Sequence, residues 1–211
     1  MSTFDDLKQA VIEYKVDAAA ALAQKALDEG LDPLEGLDAI SAAMAVVGEG
    51  FSTGDLWLPD LVGAADASQA AMPILEEEIK KRGQETKSLG TIVLGTVSGD
   101  IHTIGKSMVG VLLVAQGFRV LDVGADVSAA KFVKAVKENG ADILALSALL
   151  TTTAPQMGKV ISALTEAGLR EQVKIMVGGG AITQEFADSI GADGYGATAP
   201  GAVELAKSLL A

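Results

Sequence analysis

The chain contains no cysteine and only one histidine among its 211 residues. Without cysteine it can form no disulfide bond, no thiolate metal site and no cysteine nucleophile. Aromatic residues are also scarce, at 4% of the chain. The single imidazole, at His102, is therefore the side chain with the most specific chemistry in the sequence, and it deserves a chemical explanation.

Long apolar runs are absent as well, since none reaches the ~18 residues that a membrane-spanning helix needs. The segment Met1–Asp6 has neither the basic start nor the apolar core of a secretory signal. Lys and Arg total 16 against 28 Asp and Glu, which gives a net charge of −12. Such a charge opposes binding to nucleic-acid phosphates and to anionic membranes. We therefore expect a cytoplasmic protein with no nucleic-acid and no membrane partner.

The first part of the chain has a helical pattern throughout. A helix stop at Gly30 and the Asp32-Pro33 helix start separate its segments. Gly48-Glu49-Gly50 is predicted to end the third helix. Short connections between four helices indicate a small bundle over residues 1–84. The predicted helices are Phe4–Tyr14, Asp17–Glu29, Pro33–Val47 and Leu58–Arg82.

After a polar linker at Gly83–Ser88, apolar runs alternate with helical stretches, which predicts an α/β domain with a parallel sheet covered on both faces. Five strands favour a flavodoxin-like, Rossmann-type arrangement over residues 89–211. The predicted strands are Thr91–Val97, Arg119–Val123, Ile143–Leu146, Lys174–Val177 and a short one near Tyr195. The predicted helices are Gly105–Gln116, Ser128–Asn139, Pro155–Ala167, Thr183–Ile190 and Pro200–Leu210.

His102 lies between the first strand and the following helix, where open α/β sheets bind their ligands. Asp100 is close enough in sequence to hold one ring nitrogen while the other binds a metal. All strand-to-helix loops of such a sheet emerge at one edge, so together they form the candidate site. These loops are Ser98–Gly105, Gly124–Val127, Ser147–Thr153, Gly178–Ala181 and Gly196–Thr198.

Other chemistries fit this edge less well. Gly178–Gly180 is a weak signal for a phosphate site without Lys or Arg. A phosphate-accepting receiver domain needs an Asp at the end of the third strand, where Ser147 stands. A hydrolase pair of Ser107 and His102 would place the nucleophile inside the following helix. The low charge and many glycines of the edge suit a long, mostly neutral ligand.

The motif Asp100-x-His102-x-x-Gly105, followed by Ser147-x-Leu149 and then Gly178-Gly179, resembles the ordered signature of base-off/His-on cobalamin-binding domains. Residues 1–82 resemble the helical cap that precedes this domain in cobalamin-dependent methionine synthase. In that cap a Phe and an apolar-Leu-Pro turn fall where Phe51-x5-Trp57-Leu58-Pro59 stands here. A cap and a binding domain alone are similar to the corrinoid proteins of methyltransferase systems. The resemblance covers nearly the whole chain.

The resemblance implies a role for three residues at the metal. His102 would be the lower axial ligand of cobalt in a bound cobalamin, in place of the cofactor's own nucleotide base. Asp100 would accept a hydrogen bond from the other ring nitrogen and raise the basicity of the ligand. Thr153 would hydrogen-bond the Asp100 carboxylate. The protonation of this relay is expected to follow the redox state of the cobalt.

The resemblance also implies a wider cofactor-binding surface around these residues. In the helical cap, Trp57, Leu58 and Leu61 would shield the upper, methyl-bearing face of the corrin, and Gly83–Ser88 would be the hinge for cap movement. In the α/β domain the further binding residues would be Gly99, Thr103, Ile104, Gly105, Ser147, Leu149, Thr151, Gly178, Gly179 and Gly180.

The resemblance thus implies a methyl carrier, a shuttle between enzymes and not a complete catalyst. Its donor would be a methylamine, methanol, betaine or an aryl methyl ether, and a second methyltransferase would pass the methyl group to tetrahydrofolate or a thiol. Its partners would be the donor-specific methyltransferase, the acceptor methyltransferase and a reductive activase.

Three alternatives remain open. A mutase's cobalamin domain shares Asp-x-His but is covered by a substrate barrel in place of a helical cap. A cobalamin-sensing regulator would add a basic DNA-binding segment and a Glu-His pair where Ala67-Ser68 stands. A flavodoxin-like module that binds some other ligand is the third.

Overall fold

The computed structural model describes residues 2–83 and 88–211. The described residues fall into two compact units. The described part of Met1–Lys87 with Val114–Gly117 forms the first, and Ser88–Leu113 with Phe118–Ala211 forms the second. Residues 84–87, the inner part of the predicted linker and hinge, lie outside the described residues. No helix in the described part is long and apolar enough to cross a membrane.

Four helices make up the helical unit, as the periodicity predicted. Ser2 and Asp5 form a reciprocal capping box at the first helix, and the Asp32 carboxylate accepts the Leu34 N–H at 3.1 Å at the third. Apolar side chains on all four helices are buried, Leu7 and Leu75 completely so. The helices are α1 Thr3–Ile12, α2 Val16–Asp28, α3 Pro33–Thr53 and α4 Leu58–Arg82.

The predicted end of α3 is wrong. The helix continues through Gly48 and Gly50 to Thr53, and it stops at Gly54, which has a left-handed φ of 85°. A Cβ at Gly50 would lie 2.8 Å from Leu56 Cδ1. This glycine therefore makes room for a neighbouring side chain and does not break the helix.

The α/β unit holds a five-stranded sheet with every strand parallel to its neighbours, in the order β2-β1-β3-β4-β5. This is the flavodoxin-like order that the sequence predicted. The strands are β1 Thr91–Thr96, β2 Arg119–Asp122, β3 Ile143–Ser147, β4 Lys174–Gly178 and β5 Gly194–Gly196. The helices are α5 Ile104–Ala115, α6 Ala129–Asn139, α7 Pro155–Glu166, α8 Gln184–Ile190 and α9 Ala199–Leu209, with a 3-10 turn at Arg170–Gln172.

The core of this unit explains why the central strands are almost uniformly apolar. β1 and β3 lie inside the sheet, and their residues Ile92–Leu94 and Ile143–Leu146 are buried. Phe132 of α6 and Met157 of α7 pack in the same buried cluster as Leu144. The strand order reverses between β1 and β3, and in open α/β sheets this reversal opens a crevice at the carboxyl ends of the strands.

Candidate functional site

Asp100 and His102 form a tightly coupled pair in the loop after β1. The His102 ring nitrogen Nδ1 lies 2.7 Å from Asp100 Oδ1, and the backbone N–H of His102 donates to the same oxygen at 3.0 Å. Asp100 has no exposed surface, whereas the His102 side chain is 48% exposed. The buried carboxylate therefore fixes one edge of an imidazole whose other edge faces outward.

The second carboxylate oxygen of Asp100 binds the loop that follows β3. The Thr153 hydroxyl donates to Asp100 Oδ2 at 2.7 Å, and the Leu149 N–H donates to the same atom at 2.8 Å. The Thr153 hydroxyl also lies 3.0 Å from the Leu150 carbonyl oxygen. The fold thus brings the three predicted residues Asp100, His102 and Thr153 into one hydrogen-bonded chain.

The hydrogen bonds decide the charge of Asp100. Burial acts to raise the pKa of its carboxyl group, because a charged group loses its hydration. Hydrogen bonds from Thr153, from the His102 amide and ring, and from the Leu149 amide outweigh this effect and hold the pKa well below its ordinary value. Asp100 is therefore ionised at neutral pH. In the neutral imidazole, an anion next to Nδ1 favours the tautomer that has its proton on Nδ1 and its lone pair on Nε2.

The outward edge of His102 is suited to a large ligand with a metal ion. In the described part of the chain no group hydrogen-bonds to Nε2. Ile101 and Ile104, on either side of His102 in the chain, are 76% and 75% exposed, and Leu149 is 43% exposed. The residues that the structure describes contain no group of three His, Asp or Glu side chains that could hold a metal ion.

A cavity of ≈ 430 Å³ begins at His102 and lies among the ends of β1, β3, β4 and β5 and the first turns of α5 and α9. Its walls are mostly apolar side chains and backbone, which suits a long ligand of low charge. The lining residues that the sequence predicted as cofactor-binding are His102, Gly105, Ser147, Leu149, Gly178, Gly179 and Gly180.

Glycine is required at one wall of this cavity. Gly179 has a φ of +123°, and a Cβ there would lie 2.0 Å from the Ala148 carbonyl oxygen. The loop after β4 therefore lies directly against the loop after β3. Gly105 is the opposite case, because a Cβ there would meet no atom within 4 Å. Glycine at this position keeps part of the cavity open.

Other predicted residues lie elsewhere. Gly99 lies at the start of the His102 loop, while Thr103, Ile104 and Thr151 are exposed and do not line the cavity. In the helical unit Trp57 is 73% exposed and Leu58 is half-buried. Leu61 is completely buried, so it offers no surface to a ligand in this structure.

Sequence reasoning missed several residues of the site. Lys106 lines the cavity and is buried, with its ammonium group hydrogen-bonded to Asp122. Tyr195 lines it as well, and so does Thr198, which lies in a predicted candidate loop but was not predicted to bind the cofactor. The rule that all strand-to-helix loops share one edge pointed to the loop after β5. The Lys106–Asp122 pair had no such signal, because the sequence does not show which side chains from different elements meet.

Comparison with known proteins identifies the family of this chain. A B12 binding domain model matches residues 90–204, more than half of the chain, and a second B12 binding domain model matches residues 3–76. The chain belongs to the B12-binding corrinoid proteins. Its cofactor is cobalamin or a related corrinoid, and both the helical unit and the α/β unit are parts of the family's architecture.

Relatives of this corrinoid protein match along almost its entire length. It is 46% identical over 212 residues to a corrinoid protein of Desulfitobacterium hafniense, covering 100% of this chain and 98% of the relative. It is 45% identical over 204 residues to trimethylamine corrinoid protein 1 of Methanosarcina acetivorans, covering 96% and 94%. The solved methanol:cobalamin methyltransferase complex MtaBC from Methanosarcina barkeri matches with a TM-score of 0.82 and 31% identity, over 99% of this chain and 79% of that one. The protein is thus a corrinoid protein of methyltransferase systems.

Proposed function

We propose that this protein binds its corrinoid with the nucleotide base displaced from cobalt and His102 as the lower axial ligand, and that it carries a methyl group between two methyltransferases. The observation that supports this most strongly is the hydrogen-bonded chain of Thr153, Asp100 and His102, which ends at an outward-facing Nε2. The bound corrinoid would supply a cobalt ion that accepts a methyl group and later releases it.

The surroundings of His102 fit such a cofactor in two ways. The exposed side chains of Ile101, Ile104 and Leu149 offer apolar contact to a ring larger than the imidazole itself. The cavity that begins at His102 offers a place for a nucleotide tail, and Gly105, Gly178 and Gly179 contribute no side chains to block it. Both features lie at the switch point of the sheet, the general ligand position of this architecture.

The residues behind His102 would tune it as a ligand. The ionised Asp100 holds the proton on Nδ1 and raises the basicity of the imidazole, as carboxylates do for metal-bound histidines. Thr153 and the Leu149 amide hold the carboxylate in the orientation that this hydrogen bond needs. Removing such a partner typically lowers metal affinity by about 10–100-fold.

A methylamine is the methyl donor that we propose. The identities of 45% to a trimethylamine and 47% to a dimethylamine corrinoid protein exceed the 31% identity to the chain in the methanol:cobalamin methyltransferase complex. A monomethylamine corrinoid protein is also 31% identical, so trimethylamine and dimethylamine are the methylamines that this comparison favours. A carrier also needs a methyltransferase that loads it, a second that unloads it, and a reductive activase that restores oxidised cobalt. These three proteins are the partners that we propose.

The ligand assignment can be tested with unusual clarity because the chain has one histidine. The full chain, purified with a tag that contains no histidine, is reconstituted anaerobically with cobalamin, and Co(II) EPR spectra are recorded. Labelling with ¹⁵N-histidine can then label the protein only at residue 102. If His102 binds cobalt, the three-line nitrogen splitting becomes a two-line splitting on labelling, and the splitting from imidazole is lost in His102→Ala.

Two results would contradict the assignment. One is a nitrogen splitting that labelling leaves unchanged, which would mean that the nucleotide base remains on cobalt. The other is a spectrum of His102→Ala identical to that of the wild type.

The shuttle is tested separately by offering ¹³C-methyl-labelled trimethylamine, dimethylamine, methanol and glycine betaine, each with the methyltransferase specific for it. We expect label on the reduced, reconstituted protein with a methylamine system and none with methanol or betaine. Label only with methanol or betaine would contradict the methylamine assignment. If none of the four donors labels the protein, the carrier function is contradicted, while the EPR result is unaffected.

A further inference from the structure

We infer that Asp126, in the loop after β2, is a positioning residue for the metal ligand: it holds the backbone of Gly99 and Asp100 so that His102 keeps its direction. This inference rests on the proposed role of His102. Asp126 lies outside the cavity, and no sequence motif of the cofactor site includes it.

Asp126 makes two kinds of contact with the loop that carries His102. Its backbone N–H donates to the Asp100 carbonyl oxygen at 2.9 Å. Its carboxylate oxygen Oδ1 accepts the Gly99 N–H at 2.7 Å and the Ser98 hydroxyl at 3.3 Å. Asp126 thus binds the N–H of Gly99 and the C=O of Asp100, the backbone groups that flank the Gly99–Asp100 peptide unit.

The backbone of Asp126 supports the same conclusion. It has a φ of 51°, and only Tyr14 shares a positive φ among the described non-glycine residues. Asp and Asn tolerate this left-handed conformation better than other non-glycine residues, at some cost in free energy. The conformation lets the N–H and the carboxylate reach the same loop. Thr96 in β1 holds this loop before and after Asp126. Its N–H donates to the Gly124 carbonyl, and its carbonyl accepts the Val127 N–H, each at 3.0 Å.

Asp100 is therefore held from both strands that neighbour β1. Its side chain binds Leu149 and Thr153 in the loop after β3, and its main chain binds Asp126 in the loop after β2. The first set of contacts orients the carboxylate, and the second holds the backbone from Gly99 to Asp100, which leads into His102. Without the Asp126 carboxylate, the Gly99 N–H loses its acceptor and the Ser98–Gly99 peptide unit can rotate.

Three substitutions at Asp126 separate the side-chain hydrogen bonds from the backbone conformation. Asp126→Asn keeps an acceptor oxygen and the left-handed preference. Asp126→Gly keeps only the backbone freedom, and Asp126→Ala keeps neither. Asp126 is exposed, so the substitutions leave the buried core intact. Thermal unfolding of each full-length variant gives a check on folding.

We expect Asp126→Ala and Asp126→Gly to bind cobalamin about three- to tenfold more weakly than the wild type, somewhat less than the ~10–100-fold effect of a group that touches the ligand itself. Their Co(II) EPR spectra should show broadened imidazole splitting, because the ring samples more directions. Asp126→Asn should restore both the affinity and the line width. Wild-type behaviour of either Asp126→Ala or Asp126→Gly would overturn the proposal, as would an Asp126→Asn variant no better than Asp126→Ala.

A second measurement, on the protein without cofactor, separates this proposal from the ligand assignment. NMR of ¹⁵N-histidine-labelled protein reports the Nδ1 proton that His102 shares with Asp100. We expect this resonance to shift or broaden in Asp126→Ala and Asp126→Gly but not in Asp126→Asn. If these shifts occur while the wild-type EPR spectrum shows no imidazole nitrogen, the positioning role stands and the axial-ligand assignment fails. An unchanged Nδ1 resonance in all three variants overturns the positioning role.

Discussion

Replacement of Asp100 by Asn tests the structural account of the site, because the change keeps the shape of the side chain and removes its charge. Both carboxylate oxygens accept a backbone N–H: Oδ1 accepts that of His102 at 3.0 Å and Oδ2 that of Leu149 at 2.8 Å. In either orientation of the amide, its NH₂ group must face one of these two donors. The side chain has no exposed surface, so water cannot relieve the conflict.

The expected cost follows from those contacts. A buried hydrogen bond to a charged acceptor contributes about 1.5–3 kcal/mol, and an unsatisfied buried donor costs about 1–3 kcal/mol. Asp100→Asn weakens the bonds that remain and leaves one backbone donor without an acceptor, so we expect a loss of about 3–5 kcal/mol in the free energy of unfolding. That is a large part of the ~5–15 kcal/mol that typically stabilises a domain.

The assay is urea denaturation of the cofactor-free chain at neutral pH, followed by far-ultraviolet circular dichroism. Asp142→Asn is the matched control, because Asp142 also accepts a backbone N–H, from Thr91 at 2.7 Å, but is exposed. Its NH₂ group can turn toward water, and we expect a loss of no more than about 1 kcal/mol. A loss below about 1 kcal/mol for Asp100→Asn, or equal losses for the two variants, would refute the reasoning.

Three further predictions concern the same unit. Gly179→Ala should lower the free energy of unfolding by about 2–4 kcal/mol and abolish cobalamin binding, because its Cβ would clash with Ala148. The control is Gly158→Ala in α7, where a Cβ meets only Ile190 at 3.6 Å. In urea denaturation this control should be neutral or stabilising. Gly105→Ala should leave the free energy of unfolding within about 1 kcal/mol of the wild-type value, because the new methyl group points into open space beside the cavity. The same methyl group should weaken cobalamin binding at least about tenfold in a titration. An unchanged affinity would place the cofactor elsewhere. The lowered pKa of Asp100 means that its charge stabilises the fold above the ordinary carboxyl pKa and that this contribution is lost as the pH falls toward the folded-state value. The stability difference between wild type and Asp100→Asn should therefore stay constant from about pH 7 to about pH 5 and narrow as the pH falls below about 4. A difference that stays constant down to about pH 3 would contradict the lowered pKa.

Most element boundaries could be predicted because they depend on signals a few residues long. Asp32-Pro33 begins α3 and Leu58-Pro59 begins α4, and α4 ends at Arg82 before Gly83, as predicted. The end of α3 could not be predicted, since Gly50 looks like a helix stop unless the position of Leu56 is known. The burial of Leu61 is a similar case, because helical periodicity does not show how deep a residue lies.

The site shows the same division between local and long-range information. The Asp100–His102 contact spans two residues and follows from spacing in a loop, so the sequence predicted it. The contact with Thr153 entered only through the resemblance to cobalamin-binding domains. The contacts of Asp126 with Gly99 and Asp100, across 27 and 26 residues, had no signal in the sequence. The predicted strand order places β2 beside β1, but the left-handed backbone at Asp126 cannot be derived from a loop of ordinary composition.

The sequence by itself determined that this protein has a helical part and an α/β part. It also determined the position of the one imidazole and of the carboxylate beside it, because periodicity and short spacings act within a few residues of chain. Only the tertiary structure decided the state of that pair. The donors that keep Asp100 ionised, Leu149 and Thr153, are 49 and 53 residues away and reach it because β3 lies beside β1 in the sheet. A pKa depends on all groups around a buried charge, and the fold sets which groups those are.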